Sequence, residues 1–137
     1  MSLEEMVEDG VAILKVGPAC TFALREGLFA LSMMESELIK DKNQHVNFID
    51  TLENVMIENP KDWQNYYVGS EIDKELSRKY SFSDRSRYYM SRDDIESSIE
   101  QLFENIDGIE LPLGMIKQFF PNVFMKILED DYPIDSK

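Results

Sequence analysis

Val11-Ala12-Ile13-Leu14-Lys15-Val16, bounded by Gly10 on one side and Gly17-Pro18 on the other, reads as a strand. Five of its six residues are apolar and three are β-branched. A run this short between two glycines fits a strand buried on both faces, as in a parallel sheet, better than a turn of helix. Upstream, Ser2 as N-cap with Glu5 three residues on predicts a short helix over 2–9 that Gly10 stops. Downstream, Pro18 suits the first position of a helix, where its missing N–H costs nothing, and the pattern runs on to about Ile39. That helix carries Cys20, Phe22, Leu24, Leu28, Phe29, Leu31, Met33 and Met34 on most of its surface and needs neighbours on several sides.

Further outward the sequence is helical. Val46, Ile49, Leu52, Val55 and Met56 recur at spacings of three and four up to Asn59-Pro60, which ends the helix. A short aromatic segment, Trp63-Gln64-Asn65-Tyr66-Tyr67, follows and stops near Gly69. Ser70 with Asp73, and Ser91 with Asp94, have the form of capping boxes with aspartate in place of glutamate. Ile95, Ile99, Leu102, Phe103 and Ile106 form one stripe after the second box, Pro112 and Pro121 each restart a short helix, and the end from Asp130 is expected to be loose. The single strand is the anomaly. A buried strand must pair its backbone groups, and each one left unpaired costs about 1–3 kcal/mol. It can pair with another molecule, turn helical, or belong to the tail of a larger protein, and the last explains most of the features.

Composition narrows the function. The 137 residues hold 27 acidic against 14 basic side chains, for a net charge of −13. Such a chain repels phosphate backbones and anionic lipid headgroups, so no nucleic acid and no membrane is expected among its partners. The longest apolar stretch, Val11 to Met34, is interrupted by Lys15, Arg25 and Glu26, and the N-terminus is acidic where a secretory signal is basic. The expected location is cytoplasmic. One cysteine and one histidine leave no zinc site of the usual kind and no internal disulfide.

Several ordered motifs together resemble the tagatose-bisphosphate aldolase subunits of the GatZ/KbaZ type. Ile13-Leu14-Lys15-Val16-Gly17-Pro18 followed by Thr21-Phe22-Ala23-Leu24-Arg25-Glu26 looks like the last barrel strand and its helix in that family. Leu52-Glu53-Asn54-Val55-Met56, Trp63 with Tyr66-Tyr67, Tyr80-Ser81-Phe82-Ser83-Asp84-Arg85 with Arg87-Tyr88-Tyr89, and Leu111-Pro112-Leu113 with Pro121 follow in the family's order. The resemblance implies a chain that is mostly α, a C-terminal fragment (last strand plus following helices) of a (β/α)8 TIM barrel. Residues 1–40 would supply the strand and its long helix, and residues 41–137 a helical C-terminal extension, the two making one incomplete domain.

The family is about three times longer, so the resemblance also implies a truncated or split reading frame. It implies the non-catalytic subunit of a class II enzyme that splits tagatose 1,6-bisphosphate in galactitol or N-acetylgalactosamine breakdown. The partner would be the catalytic class II aldolase subunit, with zinc on that partner and no cofactor in this chain. A sugar-phosphate enzyme such as a tagatose-6-phosphate kinase, the family's other label, and a stand-alone helical interaction module are the alternatives. No Walker-type glycine loop stands in the sequence to help the kinase reading.

No residue is singled out as catalytic. Lys15, Gly17 and Thr21 form one candidate phosphate site, because strand ends of such barrels meet ligands and a helix N-terminus offers free N–H groups. Against it stands a plain strand-to-helix corner. Arg85 and Arg87, near Arg78 and Lys79, form the only basic cluster, interleaved with Tyr80, Tyr88 and Tyr89. Their forks suit phosphate, a subunit carboxylate or an internal carboxylate network. Arg25 and Glu26 read as surface ion-pairing residues worth under about 1 kcal/mol. Trp63, Tyr66 and Tyr67 read as packing groups, Cys20 as a core residue, and His45 as a surface or cap residue. The apolar surface from Val11 to Met34 predicts self-association or dependence on a partner chain.

Overall fold

A computed structural model describes residues 19–131, and within them the chain is helical, with no strand among the described residues. The mostly α class expected from the sequence holds there. The helix expected over 2–9, the strand Val11–Val16, and Lys15 and Gly17 lie outside the described residues. Helix α1 spans Ala19–Leu38, α2 Phe48–Glu58, α3 Glu71–Tyr80, α4 Asp93–Ile106, α5 Leu113–Phe119 and α6 Pro121–Asp131. Single 3-10 turns at Lys42–Gln44, Pro60–Asp62 and Arg85–Tyr88 join them.

The core is where α1, α2 and α4 meet. Leu28, Leu31 and Met34 of α1 face Phe48, Leu52, Val55 and Met56 of α2 and Ile95, Leu102 and Ile106 of α4, all buried. These are the three- and four-spaced stripes of the sequence, and their common burial is what holds short helices that would be marginal alone. Leu111 and Ile116 extend the core toward the packed pair α5 and α6. The stretch expected to drive self-association is thus covered over much of its C-terminal half: Leu28, Phe29, Ala30, Leu31 and Met34 are buried by the chain's own helices, and Met33 alone of these hydrophobics is exposed.

Helix ends follow local chemistry, with one correction. Asn59 closes α2, its N–H donating to Val55 O, and Pro60 cannot continue the ladder. Ser70 and Asp73 form the expected capping box: the Ser70 hydroxyl accepts from Asp73 N–H at 3.2 Å, and the Asp73 carboxylate accepts from Ser70 N–H at 3.0 Å. Gly69, at φ +110°, brings the chain so close that a Cβ there would lie 2.6 Å from the Asp73 carboxylate. The box expected at Ser91 and Asp94 does not form. Arg92 is the N-cap of α4 and makes no side-chain cap, while its guanidinium takes both Asp94 oxygens at 3.1 Å each. With Arg92 rather than Ser91 at the cap, Asp94 stands at the second helical position instead of the third, and its carboxylate accepts from the Arg92 guanidinium and the Ile95 N–H. Asp130 and Asp131, expected to begin a loose end, belong to α6, and the residues after them lie outside the described residues.

Candidate functional site

The sequence-derived candidates do not come together as one described site. Lys15 and Gly17 lie outside the described residues, and Thr21 lies in the first turn of α1. Arg85 and Arg87 share the 3-10 turn Arg85–Tyr88, and around them the structure assembles an arginine–tyrosine cluster on a buried polar frame.

The frame begins with α1. Arg25 is 2% exposed and donates from Nε to Asp84 at 3.1 Å and from a terminal nitrogen to the Lys79 carbonyl. This corrects the surface ion pair expected for Arg25. Glu26 is exposed, but Arg25 is buried because it lies one turn before Leu28 on the core-facing stripe. Asp84 also accepts from the Ser86 N–H at 3.1 Å and the Ser86 hydroxyl at 2.5 Å, which fixes the start of the turn. Arg78 of α3 is likewise buried. It donates from Nε to Glu53 Oε1 at 2.8 Å and again from a terminal nitrogen, and lies 4.7 Å from the centre of the Trp63 ring. The second Glu53 oxygen is buried without a hydrogen-bond partner among the described residues.

Tyrosines lock the turn against the segment before α3. The Tyr67 hydroxyl donates to Ser83 O at 2.5 Å and accepts from Arg85 N–H at 3.0 Å. Burial, the largest influence on it, pushes the Tyr67 phenol above its ordinary value of 10.0. Burial does the same to Tyr89, whose hydroxyl donates to Asn59 O. Trp63 and Tyr67 are buried and stacked with ring centres 6.3 Å apart, so their expected packing role holds, on a turn rather than a helix. Tyr66 does not pack inward. It is 59% exposed, and the Arg85 guanidinium lies over it at 3.6 Å.

Arg85 also faces the Tyr88 ring at 4.8 Å and donates from Nε to Asp62 O. Arg87 faces the same ring at 4.8 Å and donates to the Tyr88 hydroxyl at 2.7 Å. Cations over aromatic faces are held in place without losing their charge. The outcome is a rigid, cationic, partly exposed patch. No group of three His, Cys, Asp or Glu placed to hold a metal occurs among the described residues.

Comparison with known proteins places this chain. The family described as D-tagatose-1,6-bisphosphate aldolase subunit GatZ/KbaZ-like matches residues 1–137. The chain belongs to that family. The D-tagatose-1,6-bisphosphate aldolase subunits GatZ of Escherichia coli O17:K52:H18 and of Shigella boydii serotype 18 are each 46% identical to this GatZ/KbaZ-like chain over 123 residues. The alignments cover 90% of this chain but 29% of those relatives, so it spans less than a third of their length. A crystal structure of a probable tagatose 6 phosphate kinase from Sinorhizobium meliloti 1021 is similar at a TM-score of 0.75 and 32% identity, over 85% of this chain and 30% of that one. No described helix of the GatZ/KbaZ-like chain is long and apolar enough to cross a membrane.

One functional-looking residue escaped the sequence analysis. Glu35 is fully buried in α1, yet meets no cation among the described residues. Its carboxylate accepts from Val46 N–H at 3.0 Å, Asn47 N–H at 3.2 Å and the Asn105 side-chain amide at 2.9 Å. Asn47 sits at φ 53°, a left-handed conformation that asparagine tolerates. The signal was present: Glu35 falls four residues after Leu31 and seven after Leu28, on the stripe that enters the core. His45, expected as a surface or cap residue, is the half-exposed C-cap of the neighbouring 3-10 turn, with its Nε2 2.6 Å from Ile39 O.

Proposed function

We propose that the chain acts as the C-terminal helical part of a non-catalytic subunit that supports a class II tagatose-1,6-bisphosphate aldolase in carbohydrate catabolism. The observation that carries this reading is the 46% identity to aldolase subunits over 90% of the chain. The geometry agrees with it. The buried ionisable side chains Arg25, Glu35, Glu53 and Arg78 are engaged in holding helices together, which is architecture for presenting a surface. In this reading zinc resides on the catalytic partner, and the chain contributes stability rather than bond-breaking groups. The barrel strand expected at Val11–Val16 would join this helical part to the rest of a longer subunit.

The test is a chimera of a full-length GatZ relative carrying residues 1–137 in place of its own matched portion. Mixed with the catalytic subunit, it is expected to lengthen that subunit's active lifetime in tagatose 1,6-bisphosphate cleavage, while the chimera alone cleaves nothing. A chimera that is folded by circular dichroism but gives no protection, or that cleaves substrate unaided, overturns the proposal.

A further inference from the structure

The sequence holds five arginines, and the structure treats them in two ways. Arg25 meets Asp84, Arg78 meets Glu53 and Arg92 meets Asp94. Arg85 and Arg87 have no carboxylate within 4.0 Å among the described residues, although the chain carries 27 acidic side chains. Asp84, the immediate neighbour of Arg85, is turned inward to Arg25 and Ser86. The two guanidiniums are instead stacked on Tyr66 and Tyr88. Arg85 uses only Nε, on Asp62 O, and Arg87 uses one terminal nitrogen, on the Tyr88 hydroxyl. Each keeps further N–H donors of its fork for something outside the described chain.

Two stacked guanidiniums that meet no carboxylate among the described residues of an acidic protein call for an external carboxylate or phosphate. The shape of the patch decides between a small ligand and a protein surface. Small-ligand sites are concave and enclose most of the ligand. Here Arg87 is exposed, and Tyr66 and Tyr88 are 59% and 44% exposed, so the patch is open. Tyrosine and arginine are also the types that dominate protein-interface hot spots, where immobilised side chains lose little further entropy on binding.

We infer that Tyr66, Arg85, Arg87 and Tyr88 form a docking surface for a partner protein that presents carboxylates to the two guanidinium forks. The inference deepens the proposed function and rests on it for the partner's identity, the catalytic aldolase subunit. Arg87 supports no buried contact, so Arg87→Glu tests the surface without threatening the fold, and Arg85→Lys keeps the charge while removing the fork. Titration calorimetry with the catalytic subunit, at low and at raised salt, is expected to show binding about tenfold weaker for each variant. The wild-type affinity should fall with salt, and that of Arg87→Glu, which keeps only the Arg85 fork, should fall less steeply.

Undiminished binding by both variants overturns the docking surface and leaves the aldolase reading standing. No binding by the wild-type chain sinks the aldolase reading instead, and a glutamate-rich peptide then decides the surface by NMR of the arginine side-chain N–H groups. A saturable shift on the wild type that Arg87→Glu abolishes sustains the inference. No shift overturns it, as does saturable binding of inorganic phosphate with neither the subunit nor the peptide bound.

Discussion

Replacing Arg78 with methionine tests the claim that α3 is tied to α2 by a buried charge rather than by apolar packing. Arg78 is 6% exposed and Glu53 8%, and one Glu53 oxygen already lacks a partner among the described residues. Arg78→Met leaves the whole carboxylate buried without a counter-charge, a loss of about 3–5 kcal/mol for pairs broken on one side. The contact over Trp63 at 4.7 Å adds up to about 2 kcal/mol when desolvated, and some of the broken-pair loss is this term. Glu53→Leu combined with Arg78→Met removes both charges, so only the Trp63 contact and imperfect repacking remain, about 1–2 kcal/mol. At about 3 °C per kcal/mol for a chain of this size, the single variant should melt roughly 10 °C below the wild type and the double variant within about 5 °C of it. Urea and thermal unfolding followed by circular dichroism at pH 7 give both values. A single-variant loss under about 1 kcal/mol, or a double variant no more stable than Arg78→Met, would refute the reasoning.

Glu35→Ala removes the acceptor of two backbone N–H groups and the Asn105 amide, three part-buried bonds worth about 1 kcal/mol each, so a total of about 3 kcal/mol is expected. Asn105→Ala breaks one of those bonds and should cost clearly less in the same urea experiment; equal losses would show that the shared carboxylate is not the anchor. Tyr67 and Tyr89 hold their protons more tightly in the folded state, both being raised above 10.0. Their contribution is therefore complete below pH 10 and is lost as pH rises through the folded values. Unfolding midpoints should fall above pH 10, and Tyr67→Phe should fall less steeply than the wild type; parallel curves would remove Tyr67 from the account.

What the sequence made legible was local or periodic. The stripe Ile95, Leu102 and Ile106 and the stop at Asn59-Pro60 required nothing beyond their neighbours, and the Ser70–Asp73 box closes within one turn. The Ser91–Asp94 box failed on an equally local shift of one residue, because Arg92 takes the cap position and its guanidinium the Asp94 carboxylate. Arg25 was misjudged, and Arg78 left among open readings that included an internal carboxylate network, for a different reason. Their partners Asp84 and Glu53 lie 59 and 25 residues away, and no spacing rule connects residues at that distance. A charged residue on an apolar stripe is ambiguous until its partner is found, so Glu35 and Arg25, both on the face of Leu28, could be read either way from the sequence. In the Arg85–Arg87 cluster the residues were legible, whereas the tyrosine stacking and the want of a carboxylate partner among the described residues belong to the assembled chain.

The Glu35 clasp has a kinetic meaning as well. One carboxylate on α1 holds Val46 and Asn47 at the entry to α2 and reaches Asn105 on α4, which in turn donates to Gln44 O at 2.8 Å. The connection at 39–47, exposed along Lys40–Gln44, is stitched at both edges to the most protected helices of the core. The Val46 and Asn47 amide protons are held by that carboxylate and exchange with solvent only when the clasp on α1 opens. The far end of a segment that looks like surface thus ripens and dissolves with the interior as one cooperative unit.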